Sequence, residues 1–104
     1  MYVVIVHHWC KRDMVEQALQ RIDGNGDAMS RCPGFITRYR MEKPDEPLKI
    51  STVTVWADEA SNDGWQARKK SEAEQSNAAS PAVSPYERWL NEAFHVSRTH
   101  LPAA

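Results

Sequence analysis

Tyr2-Val3-Val4-Ile5-Val6-His7-His8-Trp9 is β-branched and aromatic for eight residues and reads as a strand. Its period of two puts Val3, Ile5, His7 and Trp9 on one face and Tyr2, Val4, Val6 and His8 on the other. Both faces are apolar at the start of the strand, whereas an antiparallel strand with helices on one side normally alternates. A sheet built around this strand therefore needs a cover on each face.

A helix follows. Asp13 and Glu16 have the spacing of a capping box, and Val15, Ala18, Leu19, Ile22 and Met29 keep one helical face. Gly24-Asn25-Gly26 weakens the centre by about 1 kcal/mol per glycine, but the apolar phase continues across it, and Pro33-Gly34 ends the segment. Phe35 to Glu42 is a second strand, with Phe35, Thr37, Tyr39 and Met41 on one face. Ile36, Arg38 and Arg40 share the other, and the two arginines are expected to solvate their heads. Lys43 to Pro47 forms a polar turn into a third strand, Leu48 to Trp56, and Asp58 to about Gln75 reads as a second helix. Ser76 to Pro85 is rich in breakers and reads as a loop. Tyr86 to Asn91 is expected to make one or two helical turns, and Phe94 to His100 a last strand. The order is β-α-β-β-α-β, an α+β, ferredoxin-like arrangement. The second apolar face of the first strand finds its cheapest cover in another copy of the chain, which predicts a homodimer with sheets packed face to face.

The chain has 104 residues, the size of a single domain. Thirteen Lys and Arg against fourteen Asp and Glu give a net charge of -1, without the basic excess of a dedicated nucleic-acid or membrane-surface binder. RNA recognition also needs stacking aromatics in mid-strand, and Val53 and its neighbours supply none. The longest apolar stretch, Tyr2 to Val6, is too short to span a bilayer, and there is no signal-like leader, so the expected location is the cytoplasm. Cys10 and Cys32 form no metal knuckle or CxxC pair. Eighteen helical residues between them span about 27 Å, which rules against a disulfide. No GxGxxG, P-loop, HExxH or GxSxG occurs, so nucleotide, zinc-protease and hydrolase chemistry lacks support.

Residues 2 to about 75 resemble the antibiotic biosynthesis monooxygenase family of small dimeric α/β-barrel proteins. The resemblance lies in the first strand ending in His7 and His8, the Cys32-Pro33-Gly34-Phe35 junction, and Ser51-Thr52-Val53-Thr54-Val55-Trp56 followed nine residues later by Trp65. Residues 76–104 match only loosely. The resemblance implies a small oxygenase that uses no metal or organic cofactor and oxidises an electron-rich aromatic, of phenol or anthrone type, to a quinone. The haem-degrading branch departs from this chain. It carries an Asn late in the first strand, where His7 stands here, and a helix-2 His where Gln75 or Glu74 stands. Neither can supply the neutral imidazole that haem iron would take. His95 or His100 in the tail would have to replace it.

Candidate site residues follow from the resemblance and from strand parity. His7 is expected to line the cavity as a general base, with Asn62 as oxyanion partner and Trp65 as aromatic wall and donor. Trp9, Tyr39 and Trp56 are expected to contribute to substrate binding. Residue chemistry alone leaves alternatives: Trp65 equally suits locking helix 2 to the sheet, Asn62 a solvated helix face, and Trp56 the core or the rim. His8, pointing away from His7, is expected to be structural or solvated. A second function class, a small-ligand-binding dimer without turnover, uses the same cavity.

Overall fold

β1 (Tyr2–Cys10) is hydrogen-bonded on both edges, to β3 (Glu46–Trp56) and to β4 (Tyr86–His95), in a four-stranded antiparallel sheet of order β2-β3-β1-β4. β2 (Phe35–Lys43) forms the far edge, joined to β3 by a hairpin. The two helices, α1 (Val15–Met29) and α2 (Glu59–Ser76), complete the β-α-β-β-α-β order expected of the ferredoxin-like class. The structure is a computed structural model and describes residues 1–76 and 83–104. The loop expected from Ser76 to Pro85 therefore falls largely outside the described residues.

Strand parity divides the sheet. In β3, Ile50, Thr52, Thr54 and Trp56 are buried, and the residues between them only half so. They lie opposite His8, Val6, Val4 and Tyr2 of β1, so the even-numbered residues of both strands face the helices. Cys10, Ala18, Ile22 and Ile50 form the buried cluster between α1 and the sheet, with Val15, Leu19 and Tyr86 packed around it. Full burial of a side chain such as Ile22 is worth about 1.5–3 kcal/mol. Val3, Ile5, Val53 and Val55 lie on the opposite face, flanked by the exposed Tyr39, Met41, Leu90 and Phe94. Among the described residues no helix covers that face.

Four boundaries differ from expectation. The residues 86–91, read as helical turns, belong to β4, and the last strand ends at His95 rather than running on to His100. Glu87, Glu92 and Ala93 favour helix locally, but the second edge of β1 offers a ladder of backbone partners from Tyr2↔His95 to Trp9↔Arg88, and tertiary pairing overrides the local preference. Met14 is the N-cap of α1 and makes no side-chain cap bond. The Met14 amide donates to the Lys11 carbonyl at 3.0 Å, and this turn removes Asp13 from the capping position. The hairpin turn is tighter than expected, since Lys43 already pairs with Glu46. α1 runs unbroken through Gly24-Asn25-Gly26, as its apolar phase predicted. Cys10 and Cys32 are both free thiols.

Gly34 turns the chain into β2 with φ +83°, and its carbonyl accepts from the Ala57 amide at 2.7 Å. A Cβ here would fall on the Ser61 hydroxyl. Ser61 is held in turn by Asp58 at the start of α2, which accepts its amide at 2.8 Å and its hydroxyl at 2.6 Å. Those bonds hold the Asp58 carboxyl below the usual range. Gly34→Ala should therefore destabilise by about 1–3 kcal/mol from backbone strain alone, with the steric cost added. Gly34→Ala combined with Ser61→Gly should recover the steric part and leave the strain, as read from urea unfolding midpoints.

Candidate functional site

A cavity of about 320 Å³ opens between the even face of the sheet and the two helices, at the small end of the range for small-molecule sites. Val4, Val6, Thr52, Thr54 and Trp56 make its floor, and Met29 closes it on the α1 side. Trp65 forms a wall from α2 and is 3% exposed, the only buried side chain described in that helix. One helical turn before it Asn62 also lines the cavity, and Trp89 of β4 stands at the rim, 59% exposed. Trp56 is fully buried and meets Phe35 edge-on at 5.8 Å between centroids.

Of the six residues expected at the site, the cavity brings together Asn62, Trp65 and Trp56. His7, Trp9 and Tyr39 lie on the opposite face. His7 Nδ1 is 2.6 Å from the Ser51 hydroxyl. Trp9 has the Arg88 guanidinium 3.6 Å from its ring centroid and Lys49 Nζ at 5.5 Å. Tyr39 pairs with Val53 and is 60% exposed. The physical reason is parity: β1 is apolar on both faces, and burial of Ile50 and Trp56 commits its even face, not the odd one, to the helices.

His8 takes the place at the cavity that His7 was expected to hold. It is buried, lies 4.9 Å from the Tyr86 ring, and lines the cavity rather than being solvated. Its Nδ1 stands 3.0 Å from the Ile50 carbonyl. A carbonyl only accepts, so Nδ1 carries the hydrogen, and in the neutral ring Nε2 keeps a lone pair. Desolvation pushes the His8 pKa down. The Arg38 charge pushes the same way, and the Ile50 hydrogen bond opposes them.

Arg38, expected to solvate its head, instead reaches back under α1. Its Nη1 donates to the Ile22 carbonyl at 2.6 Å, and its Nε is buried without a hydrogen-bond partner. The signal for this lay in Gly26: a Cβ there would come within 2.6 Å of Arg38 Nη1. The glycine that weakens α1 in the sequence opens the slot through which the guanidinium passes. Arg40 does remain outside, paired with Asp23 at 2.7 Å.

The residues considered for haem do not fit that group. Glu74 and Gln75 are exposed and do not line the cavity. His95 pairs with Glu59 at 3.3 Å and stacks edge-on against Tyr2, and His100 is exposed beyond β4. Among the described residues no imidazole from α2 or the tail reaches the cavity.

Comparison with known proteins places this geometry. The sequence profile of the antibiotic biosynthesis monooxygenase family matches residues 1–76. No curated protein matches the chain. Solved structures do. A protein of Shewanella oneidensis is 21% identical with a TM-score of 0.73, over 91% of this chain and 89% of its own. A variant of SnoaB, a cofactor-independent oxygenase from Streptomyces nogalater, is 15% identical with a TM-score of 0.70, over 94% and 95%. The haem degrader MhuD from Mycobacterium tuberculosis, with two haems bound in its active site, is 17% identical with a TM-score of 0.66, over 95% and 98%. At these identities the structural likeness carries the fold.

His8 couples the site to stability. Unfolded, it titrates near 6.5; folded, it resists protonation to a lower pH. The unfolded chain thus binds more protons in that interval, so stability is complete above pH 6.5 and falls as pH drops toward the folded value. His8→Gln, which can still donate to the Ile50 carbonyl, should flatten this loss. Urea midpoints at pH 7.5 and 5.5 measure it, and equal losses in the two proteins would contradict a buried neutral His8.

Proposed function

The chain belongs to the antibiotic biosynthesis monooxygenase family, and from that premise we propose that its cavity oxidises an electron-rich aromatic, of phenol or anthrone type, to a quinone without a metal or organic cofactor. The observation that carries this reading is the buried His8, whose Nδ1–H faces the Ile50 carbonyl and leaves Nε2 as the basic nitrogen, in a cavity with Trp56 in its floor, Trp65 as a wall and Asn62 beside it.

Ground-state dioxygen is a triplet, and a closed-shell substrate must become electron-rich before it can donate one electron. Removing a proton does this. His8, held neutral by burial, accepts the proton at Nε2 from an activated C–H or O–H. The Asn62 amide donates to the oxyanion that forms, and the Trp65 indole supplies a flat wall and a second donor. Val4, Val6 and Trp56 give the radical pair that follows electron transfer an apolar surface on the floor. For an anthrone methylene the balance closes simply. The carbon loses two C–H bonds and gains a carbonyl; one oxygen atom of O₂ enters that carbonyl, and the other leaves as water with the two hydrogens.

The open sheet face fits a second copy of the chain, because Val3, Ile5, Val53 and Val55 together with Leu90 and Phe94 make an apolar surface without a cover. Assembly there leaves the cavity, on the other face, within each subunit. Light scattering should give a mass near twice the 11.9 kDa of the chain. Ile5→Glu should abolish assembly or folding, since an unpaired buried carboxylate costs several kcal/mol. A stable monomer of the parent at micromolar concentration would refute the dimer.

Oxygen uptake with an anthrone should proceed without added metal or flavin and should rise with pH through the depressed His8 value, reaching a plateau by neutral pH. His8→Ala should lower turnover by about a hundredfold or more. Trp65→Ala also removes the one buried anchor of α2, at about 3–5 kcal/mol, so Trp65→Phe with Asn62→Ala is the cleaner probe of chemistry. Parental rates in His8→Ala would remove its role as base. Tryptophan quenching by the anthrone with no oxygen uptake would mark a binding module instead. Haem titration should give no sharp Soret shift, and a shift lost on adding a reductant would favour haem degradation.

A further inference from the structure

The charges at this cavity are strongly sorted. The chain as a whole is balanced, with thirteen basic and fourteen acidic residues. Yet Arg21, Arg38 and Lys69 line the cavity, and among the described residues no Asp or Glu does. Arg21 and Lys69 stand at the mouth with exposed stems, and Arg38 lies deeper, half-buried. Desolvation together with the Arg21 and Arg38 charges lowers the Lys69 pKa, so the three cations crowd one another.

Arg38 is also short of partners. It has five N–H donors, and its one hydrogen bond goes to a neutral carbonyl, at Ile22. Its Nε is sealed from solvent with no acceptor. The nearest carboxylate influence comes from Asp23, whose Oδ2 is taken by Arg40 at 2.7 Å and which lies outside the cavity lining. Asp23 and Asp27 share a separate pocket with Arg38, on the α1 side. On the cavity side the desolvated guanidinium therefore meets no carboxylate among the described residues, and an anion there offsets part of its desolvation cost.

We propose that the substrate of this cavity is an aromatic carboxylic acid, whose carboxylate sits against Arg38 with Arg21 and Lys69 at the mouth, while its ring system lies over the cavity floor beside Trp65. This rests on the reading of the cavity as the substrate site and adds the charge of the substrate to it. Gly26 is then a positioning residue. It leaves the space through which Arg38 reaches the Ile22 carbonyl, and a side chain there would push the guanidinium off its seat.

The test compares two inert, product-like ligands that differ in one charge, anthraquinone-2-carboxylate and anthraquinone-2-carboxamide, by calorimetry at pH 7.5 and low salt. The carboxylate should bind about tenfold tighter or more, in line with a charge-assisted hydrogen bond, and the advantage should shrink as salt rises. Arg38→Met should erase the difference by weakening the carboxylate at least tenfold more than the carboxamide. Should Arg38→Met fail to fold, two other variants report: Lys69→Met should reduce the preference, and Gly26→Ala should reduce it while keeping the melting temperature at or above the parent's, because alanine favours the helix. A merely structural Arg38 would predict lower melting temperatures with the preference intact. Equal affinity of the parent for the two ligands would overturn the proposal, as would a preference that survives in Arg38→Met. Oxygen uptake separates this inference from the reading beneath it. Turnover of a neutral anthrone with no carboxylate preference would sink the inference alone, whereas tight carboxylate binding without uptake of oxygen by any anthrone would sink the oxygenase reading alone.

Discussion

The period of two in β1 governs where everything else can be. Because that strand is paired along both edges and its ladders are regular from Tyr2 to Trp9, it has no freedom to turn about its axis. Each of its residues is assigned to the helices or to the open face. The assignment is made by β3, where Trp56 and Ile50 have lost nearly all contact with solvent and could not face outward without large cost. From there the cavity floor, the seat of α1 on Cys10 and Ile50, and the bare apolar face opposite follow together. A one-residue change in this register would exchange His7 and His8 between the two faces.

This same feature divides what could be read in the sequence from what could not. Element order was legible because β1, β2 and β3 each combine β-forming residues with clear breakers, and because the apolar phase of α1 persists through its glycines. The face of β1 was not legible, since Val3 and Ile5 are as apolar as Val4 and Val6 and each pair is followed on its own face by a histidine. The choice depends on Trp56 and Ile50, residues of another strand, and so on pairing rather than on any local pattern. β4 was missed for a similar reason. Its helix-forming residues are overridden by an edge of β1 that no window of sequence contains. The loosely matched stretch from residue 76 thus holds an integral strand of the sheet.

Arg38 shows a third way in which local reading falls short. A strand arginine normally extends its stem along the surface and leaves its head in water. Here the head is held beneath α1 by a carbonyl 16 residues earlier in the chain, and the space for it exists because residue 26 lacks a side chain. Gly26 and Arg38 are individually unfavourable, one for helix propensity and the other for desolvation, and they make physical sense only as a pair. The sequence shows both residues but not that they meet.

Trp65 ties the cavity to the stability of its own wall. α2 is polar almost throughout, and among its described side chains Trp65 is the only one buried. The packing that holds this helix to the sheet is therefore concentrated at the indole that also faces the cavity. A ring stacked on that indole adds contact area to the anchor itself, so binding and docking of α2 must favour each other: whatever free energy a ligand gains from the seated helix, the helix gains from the ligand. Asn62, one turn away, and Lys69, one turn beyond, move with that anchor. Asn62 and Lys69 already share the cavity with His8 and Arg38, so a ring resting on the Trp65 indole would reinforce an arrangement the fold has set in place.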